Sequence, residues 1–363
     1  MLDRIADVRM LALCGLAAIA LAACSSSVDG SSDAGSDAGT DAGTDAGMDG
    51  GSDAGIDAGS DAGPELSDGG DWGTDAGGPK LGGGFAPDAG FGGFGGGDCI
   101  ASRTPIVFIH GNSDDASVWS KPASNGAPSV LATFAAAGYR PCELFGVTWL
   151  SASEQAAPLM NFHDTARAEI VRTFLNEVRA YTQHAQVDVV AHSMGVTVAL
   201  HALEGANQPA GLRRFVAIAG GLQGLSACLS IGPANPLSPT CGAQSLLDSN
   251  TFGFYPSANA RMEAGGFRAR PGSINASFYS IRAGASDEIL CPSCGSALFS
   301  AASNVIAQLD VGQGSPSVSG DDDSTGVGHF RARSDSGVLL KNFLTTNCAG
   351  AACCVGTSGH CAP

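Results

Sequence analysis

Residues 187–200 read VDVVAHSMGVTVAL, and the pentapeptide AHSMG at their centre offers Ser193 as a nucleophile. A serine hydroxyl attacks a carbonyl only when a base takes its proton, an acid orients that base and N–H donors hold the oxyanion that forms. The usual G-x-S-x-G pattern has Ala191 in place of its first glycine, and in a chain with 52 glycines a relaxed match can arise by chance. Context decides. An apolar strand turns sharply at Ser193 into the helix-competent VTVALHAL, which is the strand-turn-helix setting the pattern requires.

In that setting the partners follow in the chain order serine, acid, histidine. Of the seven histidines only His329, in STGVGHFR, and His360, in a cysteine-rich tail, come after Asp287. The glycines flanking His329 let a loop carry it to the serine, whereas His360 reads as an exposed tail residue and His192 as a structural residue beside the elbow. The acid candidates are Asp287, Glu288 and Asp310; Asp287 is favoured because it directly follows the apolar run SFYSIRAG and precedes Ile289 and Leu290. The run Asp321 to Asp323 reads as a solvated loop. For the oxyanion, the residue after the nucleophile offers the N–H of Met194, and the FIHGNS loop after the first core strand offers that of Asn112.

These residues need a frame. TPIVFIHG (104–111), CELFGVT (142–148), VDVVAHS (187–193), RFVAIAGG (214–221), SFYSIRAG (277–284) and VIAQLDVG (305–312) are short apolar runs of the kind that form buried parallel strands. Between the second and third, Ile170, Phe174, Val178 and Tyr181 mark one face of an amphipathic helix. Strands alternating with helices predict an α/β fold, a mostly parallel sheet covered on both faces, with ligands bound beyond the carboxyl ends of the strands. Residues 222–275 carry no helical or strand period and read as an irregular lid or substrate wall.

Four segments are expected along the 363 residues: a signal at 1–24, a disordered linker at 25–98, a catalytic domain at 99–347 and a Cys-rich tail at 348–363. The apolar run MLALCGLAAIALAA is too short to span a bilayer comfortably and fits the core of an export signal. The linker repeats Asp-Ala-Gly and ends in a glycine tract, with too few apolar side chains to offset ordering entropy. It carries 14 Asp and one Glu against Lys80, so it accounts for most of the net charge of −17. The remainder is nearly neutral and offers no nucleic-acid footprint. GFGGFG at 90–95 matches a dinucleotide fingerprint in letters alone, since no strand precedes it, and no cofactor is expected. Ten of the twelve cysteines fall in residues 99–363, an even number that favours disulfides in an exported protein. Cys228 is expected to pair with Cys241, and two bridges are expected among Cys348, Cys353, Cys354 and Cys361. The CPSC at Cys291 and Cys294 has no second C-x-x-C at ligand spacing, so no metal is expected.

PIVFIHGN, VDVVAHSMG, SFYSIRAGASDE and GVGHF together resemble the α/β-hydrolase lipases with an AHSMG serine box. CELFGVTWLSASEQ, AGGLQGL, PTCGAQ, TFGFYP and TGVGHFRARSDSG are further similar to extracellular polyhydroxybutyrate depolymerases that attack amorphous polymer. That resemblance spans about residues 103–348 and implies an α/β-hydrolase fold, Ser193, Asp287 and His329 as a triad, and Asn112 and Met194 at the oxyanion hole. It departs after TFGFYP, where SANARMEAGGFRARPGS offers Phe267 as its one aromatic ring. LAAC at 21–24 resembles the lipobox of bacterial lipoproteins, which implies lipid attachment at Cys24 and an outer-membrane anchor; cleavage at Ala20 to Ala22 would give plain secretion instead. The expectation is an exported, monomeric serine hydrolase of short-chain polyesters. The alternatives are a lipase or carboxylesterase acting on acylglycerols or small esters, and a non-catalytic surface lipoprotein.

Overall fold

The computed structural model describes residues 85–161, 163, 165–204, 209–231, 236–241, 254, 274–319 and 322–363. The signal, Cys24, most of the linker and nearly all of TFGFYP and SANARMEAGGFRARPGS lie outside the described residues. Each of the six apolar runs forms a strand, and a seventh precedes them: β1 (Gly93–Phe94), β2 (Ile106–Ile109), β3 (Leu144–Val147), β4 (Val187–His192), β5 (Leu212–Ile218), β6 (Ser277–Arg282) and β7 (Val305–Asp310). The sheet order is β1-β3-β2-β4-β5-β6-β7. All neighbouring pairs are parallel except β1 with β3. The chain runs outward from β2 to β3 and then returns to place β4 on the other side of β2. In α/β sheets such a reversal is where ligands bind, beyond the carboxyl ends of the strands, here β2 and β4.

Successive residues of a strand point to opposite faces, and the core divides accordingly. Val107, Ile109, Val189, Ala191, Phe215 and Ala217 enter one buried cluster, while Ile106, Phe108, Val190, Val216 and Ile218 enter the other. The helices α1 (Val130–Ala136) and α4 (Gly337–Thr345) cover the second face. The first face is covered by α2 (Thr165–Thr182) and α3 (Met194–Leu203). On α2 the buried stripe is Ala168, Val171, Phe174, Leu175, Val178 and Thr182. It includes Phe174 and Val178 of the expected face, while Ile170 and Tyr181 pack half-buried against the same core and the Tyr181 hydroxyl donates to the Gly97 carbonyl at 3.1 Å.

Residues 85–98 correct the linker boundary. Phe85 is buried and packs edge-on against Phe145 and Phe174, at centroid distances of 5.1 and 5.7 Å. The glycines that read as disorder are what allows β1 to pair, since a Cβ on Gly93 would collide with the Gly146 carbonyl oxygen. The tail is a second correction, because residues 348–363 are part of the domain. Ala362 exchanges both backbone hydrogen bonds with Asp310, and Cys353 is fully buried. Five disulfides close among the described residues: Cys228–Cys241, Cys348–Cys353 and Cys354–Cys361 as grouped above, with Cys99–Cys142 and Cys291–Cys294 in addition. The CPSC pair is thus bonded to itself. Of the irregular stretch from 222 to 275, the described part holds a short helix, Ser226–Ile231, tied down by the Cys228–Cys241 bridge.

Candidate active site

The end of β4 turns at Ser193, whose φ of 53° and ψ of −127° put a non-glycine residue in a strained region of backbone space. Neighbours hold it there. Its N–H donates to the Ile218 carbonyl at 2.8 Å, and α3 starts at the next residue. Gly195 is required by contact, because a Cβ there would overlap the His110 carbonyl oxygen at the end of β2. Ala191 is buried in the sheet between Ile109 and Ala217, and its methyl group is accommodated.

His329 reaches this elbow from a sequence distance of 136 residues. Its Nε2 lies 2.8 Å from Ser193 Oγ, and its Nδ1 lies 3.0 and 3.2 Å from the two oxygens of Asp287. A carboxylate accepts, so Nδ1 carries the proton and donates it to Asp287; Nε2 is left with its lone pair, and the serine hydroxyl donates to it. Both His329 and Asp287 are 2 % exposed. Burial, the largest single influence, depresses the imidazole, but the charge and hydrogen bond of Asp287 combined with the charges of Glu288 and Asp323 raise the pKa of His329 above 6.5. Asp287 Oδ1 also accepts from the N–H groups of Ile289 and Leu290, at 3.1 and 2.8 Å, which fixes the carboxylate plane.

The three acid candidates separate clearly. Asp287 meets the His329 ring, Glu288 Oε2 accepts the backbone N–H of His329 at 3.0 Å, and Asp310 faces Arg282 and the N–H of Gly312. His360 is exposed on the tail.

The FIHGNS loop lies against the elbow, since a Cβ on Gly111 would come within 3.1 Å of Ser193 Cβ. His110 locks this loop. Its Nδ1 donates to the Gly111 carbonyl at 2.8 Å, its Nε2 accepts from the Trp149 N–H at 3.1 Å, and the indole N–H of Trp149 returns a bond to the His110 carbonyl at 2.9 Å. Burial lowers the pKa of His110 to about 4, which keeps the ring neutral in this arrangement. The Asn112 side chain is engaged with Pro158 and Asn161, so the oxyanion donor expected from this residue is its backbone N–H. Met194 is the first residue of α3, and its N–H has no acceptor inside the helix. The two donors therefore belong to adjacent segments at the same sheet edge.

Of the residues that hold His329 in place, sequence reasoning read His192 as a structural neighbour of the elbow and missed Glu288 and Asp323 in this role. His192 Nε2 donates to the His329 carbonyl at 3.1 Å, so the neighbour of the serine braces its partner. Burial, then the charges of His329 and Arg333, drive the His192 pKa well below 6.5. Asp114 and Arg333 form a buried ion pair, 2.7 Å long, beside it. Asp323 is buried, contrary to the solvated loop expected, because its Oδ2 staples the N–H groups of Gly328 and Arg331 at 2.6 and 3.0 Å. The one signal in the sequence was its position five residues before a glycine of the His329 loop. Among the described residues, no group of three metal-ligating side chains is assembled.

A mostly parallel seven-stranded sheet, helices on both faces and a strained serine after the central strand make up the α/β-hydrolase fold. A family model described as Lipase (class 2) matches residues 103–252, which is less than half of the chain. No curated protein matches the chain in sequence. Among solved structures it is similar to Aspergillus fumigatus lipase B, with 16% identity and a TM-score of 0.48 over 71% of this chain and 58% of that one. The propeptide form of Bacillus licheniformis lipase BlEst2 is 13% identical, with a TM-score of 0.36 over 52% of this chain and 38% of that one. An extracellular alpha/beta-hydrolase from a Paenibacillus species is 12% identical, with a TM-score of 0.36 over 67% of this chain and 100% of that one. The chain thus spans less than two thirds of the length of the first two structures.

Proposed function

We propose that the protein is a serine-dependent carboxylic ester hydrolase. The observation that carries this reading is the continuous hydrogen-bonded line from Ser193 Oγ through His329 to Asp287, at 2.8 and 3.0 Å. Ser193 attacks the ester carbonyl while His329 Nε2 takes its proton, and Asp287 stabilises the imidazolium that results. The N–H groups of Asn112 and Met194 hold the tetrahedral oxyanion. His329 then returns the proton to the leaving alcohol, and water attacks the acyl-enzyme by the same route in reverse.

The substrate we favour is a short-chain polyester of the polyhydroxybutyrate type, taken up by a monomer. The supporting observation is a resemblance in the sequence: beyond the serine box, CELFGVTWLSASEQ, PTCGAQ and TGVGHFRARSDSG are similar to segments of polyhydroxybutyrate depolymerases. The second reading, acylglycerol hydrolysis, is favoured by the lipase family model over residues 103–252. Purified wild type is expected to clear a suspension of amorphous polyhydroxybutyrate, and Ser193→Ala to lose at least about 10³-fold in rate. Absence of clearing together with rapid turnover of soluble p-nitrophenyl butyrate would discard the polymer. Preference for long acyl chains and emulsified triglyceride would select the lipase reading. Failure of a fluorophosphonate to label Ser193 in the folded protein would discard ester hydrolysis itself.

A further inference from the structure

The His329 loop is gripped by two carboxyl groups that the triad chemistry does not use. Glu288 directly follows Asp287, and its Oε2 accepts the His329 N–H at 3.0 Å. Asp323, on the short strand that leads into the loop, accepts from Gly328 and Arg331, on either side of His329. The two carboxyl groups converge on Gly328: Asp323 Oδ2 accepts its N–H at 2.6 Å, Glu288 Oε2 lies where a Cβ on that residue would stand, and Glu288 Oε1 is buried with no hydrogen-bond partner. Two buried carboxylates this close repel one another, and a proton held between them relieves the repulsion.

We propose that Glu288 and Asp323 are positioning residues that share one proton, and that this proton holds residues 328–331 so that His329 stays aligned on Ser193. Turnover then falls at alkaline pH as the proton is lost. In the bound state the Glu288 hydroxyl donates to the Asp323 carboxylate, while the other Glu288 oxygen accepts from His329. On loss, the proton passes to hydroxide and two negative groups are left facing each other across the loop. Burial, then the hydrogen bond to Asp323, raises the Glu288 pKa to about 8, with the positive charge of His329 opposing the rise. The other charged groups facing this cluster are Asp287, on the Glu288 segment, and Arg331, whose guanidinium is bound to Asp335. Behind the His329 ring lie His192, Arg333 and Asp114.

The kinetic arm of the test rests on the ester hydrolase reading, and a second arm does not. Initial rates of full-length wild type, Glu288→Gln, Glu288→Ala and Asp323→Asn are measured with p-nitrophenyl butyrate from pH 5 to 10. Glu288→Ala is expected to lose about 10- to 100-fold in kcat, with KM within about twofold, because a misplaced base slows chemistry and not binding. Glu288→Gln is expected to recover most of that loss, since its amide donates to Asp323 and its oxygen accepts from His329. Having no proton to lose, it should carry turnover at least about one pH unit further into the alkaline range. Asp323→Asn should likewise displace the alkaline decline. An alkaline decline in Glu288→Gln identical to that of wild type, or a wild-type kcat in Glu288→Ala, would overturn the proposal.

The second arm is the urea midpoint against pH. A carboxyl whose folded pKa is raised binds more protons folded than unfolded, so its contribution is full below about 4.5 and is lost as pH rises through about 8. Wild type should therefore lose stability relative to Glu288→Gln across that interval, and parallel curves would refute the shared proton even if the wild type proved inactive on every ester.

Discussion

His329 is held at three of its atoms by three different residues: Nδ1 by Asp287, the amide N–H by Glu288 and the carbonyl by His192. The ring must be neutral at Nε2 to accept the serine proton, and its pKa is raised above 6.5: burial, the largest single influence, lowers it, but the charge and hydrogen bond of Asp287 together with the charges of Glu288 and Asp323 raise it further. Activity should therefore rise with pH through an acid limb that lies above pH 6.5. Asp287→Asn removes the charge that supports the raised value, so kcat/KM should fall by on the order of 10³- to 10⁴-fold and the residual acid limb should move down in pH. A pH–rate profile of the variant checks both; an unmoved limb would mean that another group titrates there. The meeting of Ser193, Asp287 and His329 was legible because chain order and strand ends narrow the choice to a few residues, of which Glu288, Asp310 and His360 turn elsewhere. The grips on the His329 backbone were not, since a side chain bonding to a distant main-chain atom leaves no spacing in the sequence.

At the level of elements, the elbow depends on how closely α3 passes the end of β2. Gly195 has the His110 carbonyl oxygen inside van der Waals distance of any Cβ, and Ile109 Cγ2 3.1 Å from it. Gly195→Ala would forgo the helix preference for alanine, because α3 must move away from the sheet to admit the methyl. The expected cost is about 1–3 kcal/mol, with a large loss of turnover as Ser193 moves with the helix. Urea denaturation and kcat measured on one preparation check this, and a stabilised, fully active variant would contradict the contact. Six strands were legible because short runs of four to seven residues rich in apolar and β-branched side chains have few other uses in a folded domain. β1 was not, because Gly93 and Gly95 are selected for the approach to Gly146 and Phe145, and the same letters describe a flexible tract. The face of α2 was legible, but what covers part of it was not: Phe85 and Gly97 approach the helix from a segment with the composition of a linker.

For the molecule as a whole, residues 348–363 pack as part of the domain, and two of the five disulfides among the described residues lie within them. β7 is an edge strand, and an open edge invites pairing with other chains. The tail covers it: Asp310 and Ala362 exchange hydrogen bonds of 2.6 and 3.0 Å, and Asn342 of α4 donates to the carbonyls of Cys353 and Val355 at 2.9 and 2.8 Å. Cys348–Cys353 and Cys354–Cys361 close loops with sequence separations of only 5 and 7, so each contributes about 2 kcal/mol through the unfolded state. The contacts the tail makes with β7 and α4 come in addition. The tail also lies beside Gln313, whose backbone pairs with Val327 two residues before His329. Ending the chain at Asn347 should therefore lower Tm by about 5–15 °C and reduce turnover by loosening the His329 loop. Reduction of the full-length protein under native conditions should reproduce part of that loss, because it removes the bridges but leaves the Asp310–Ala362 pairing in place. A truncated chain that melts with the full-length protein would show that the tail only rests on the edge of the sheet. One that melts early but keeps full turnover would show that the strand is protected and the His329 loop is not.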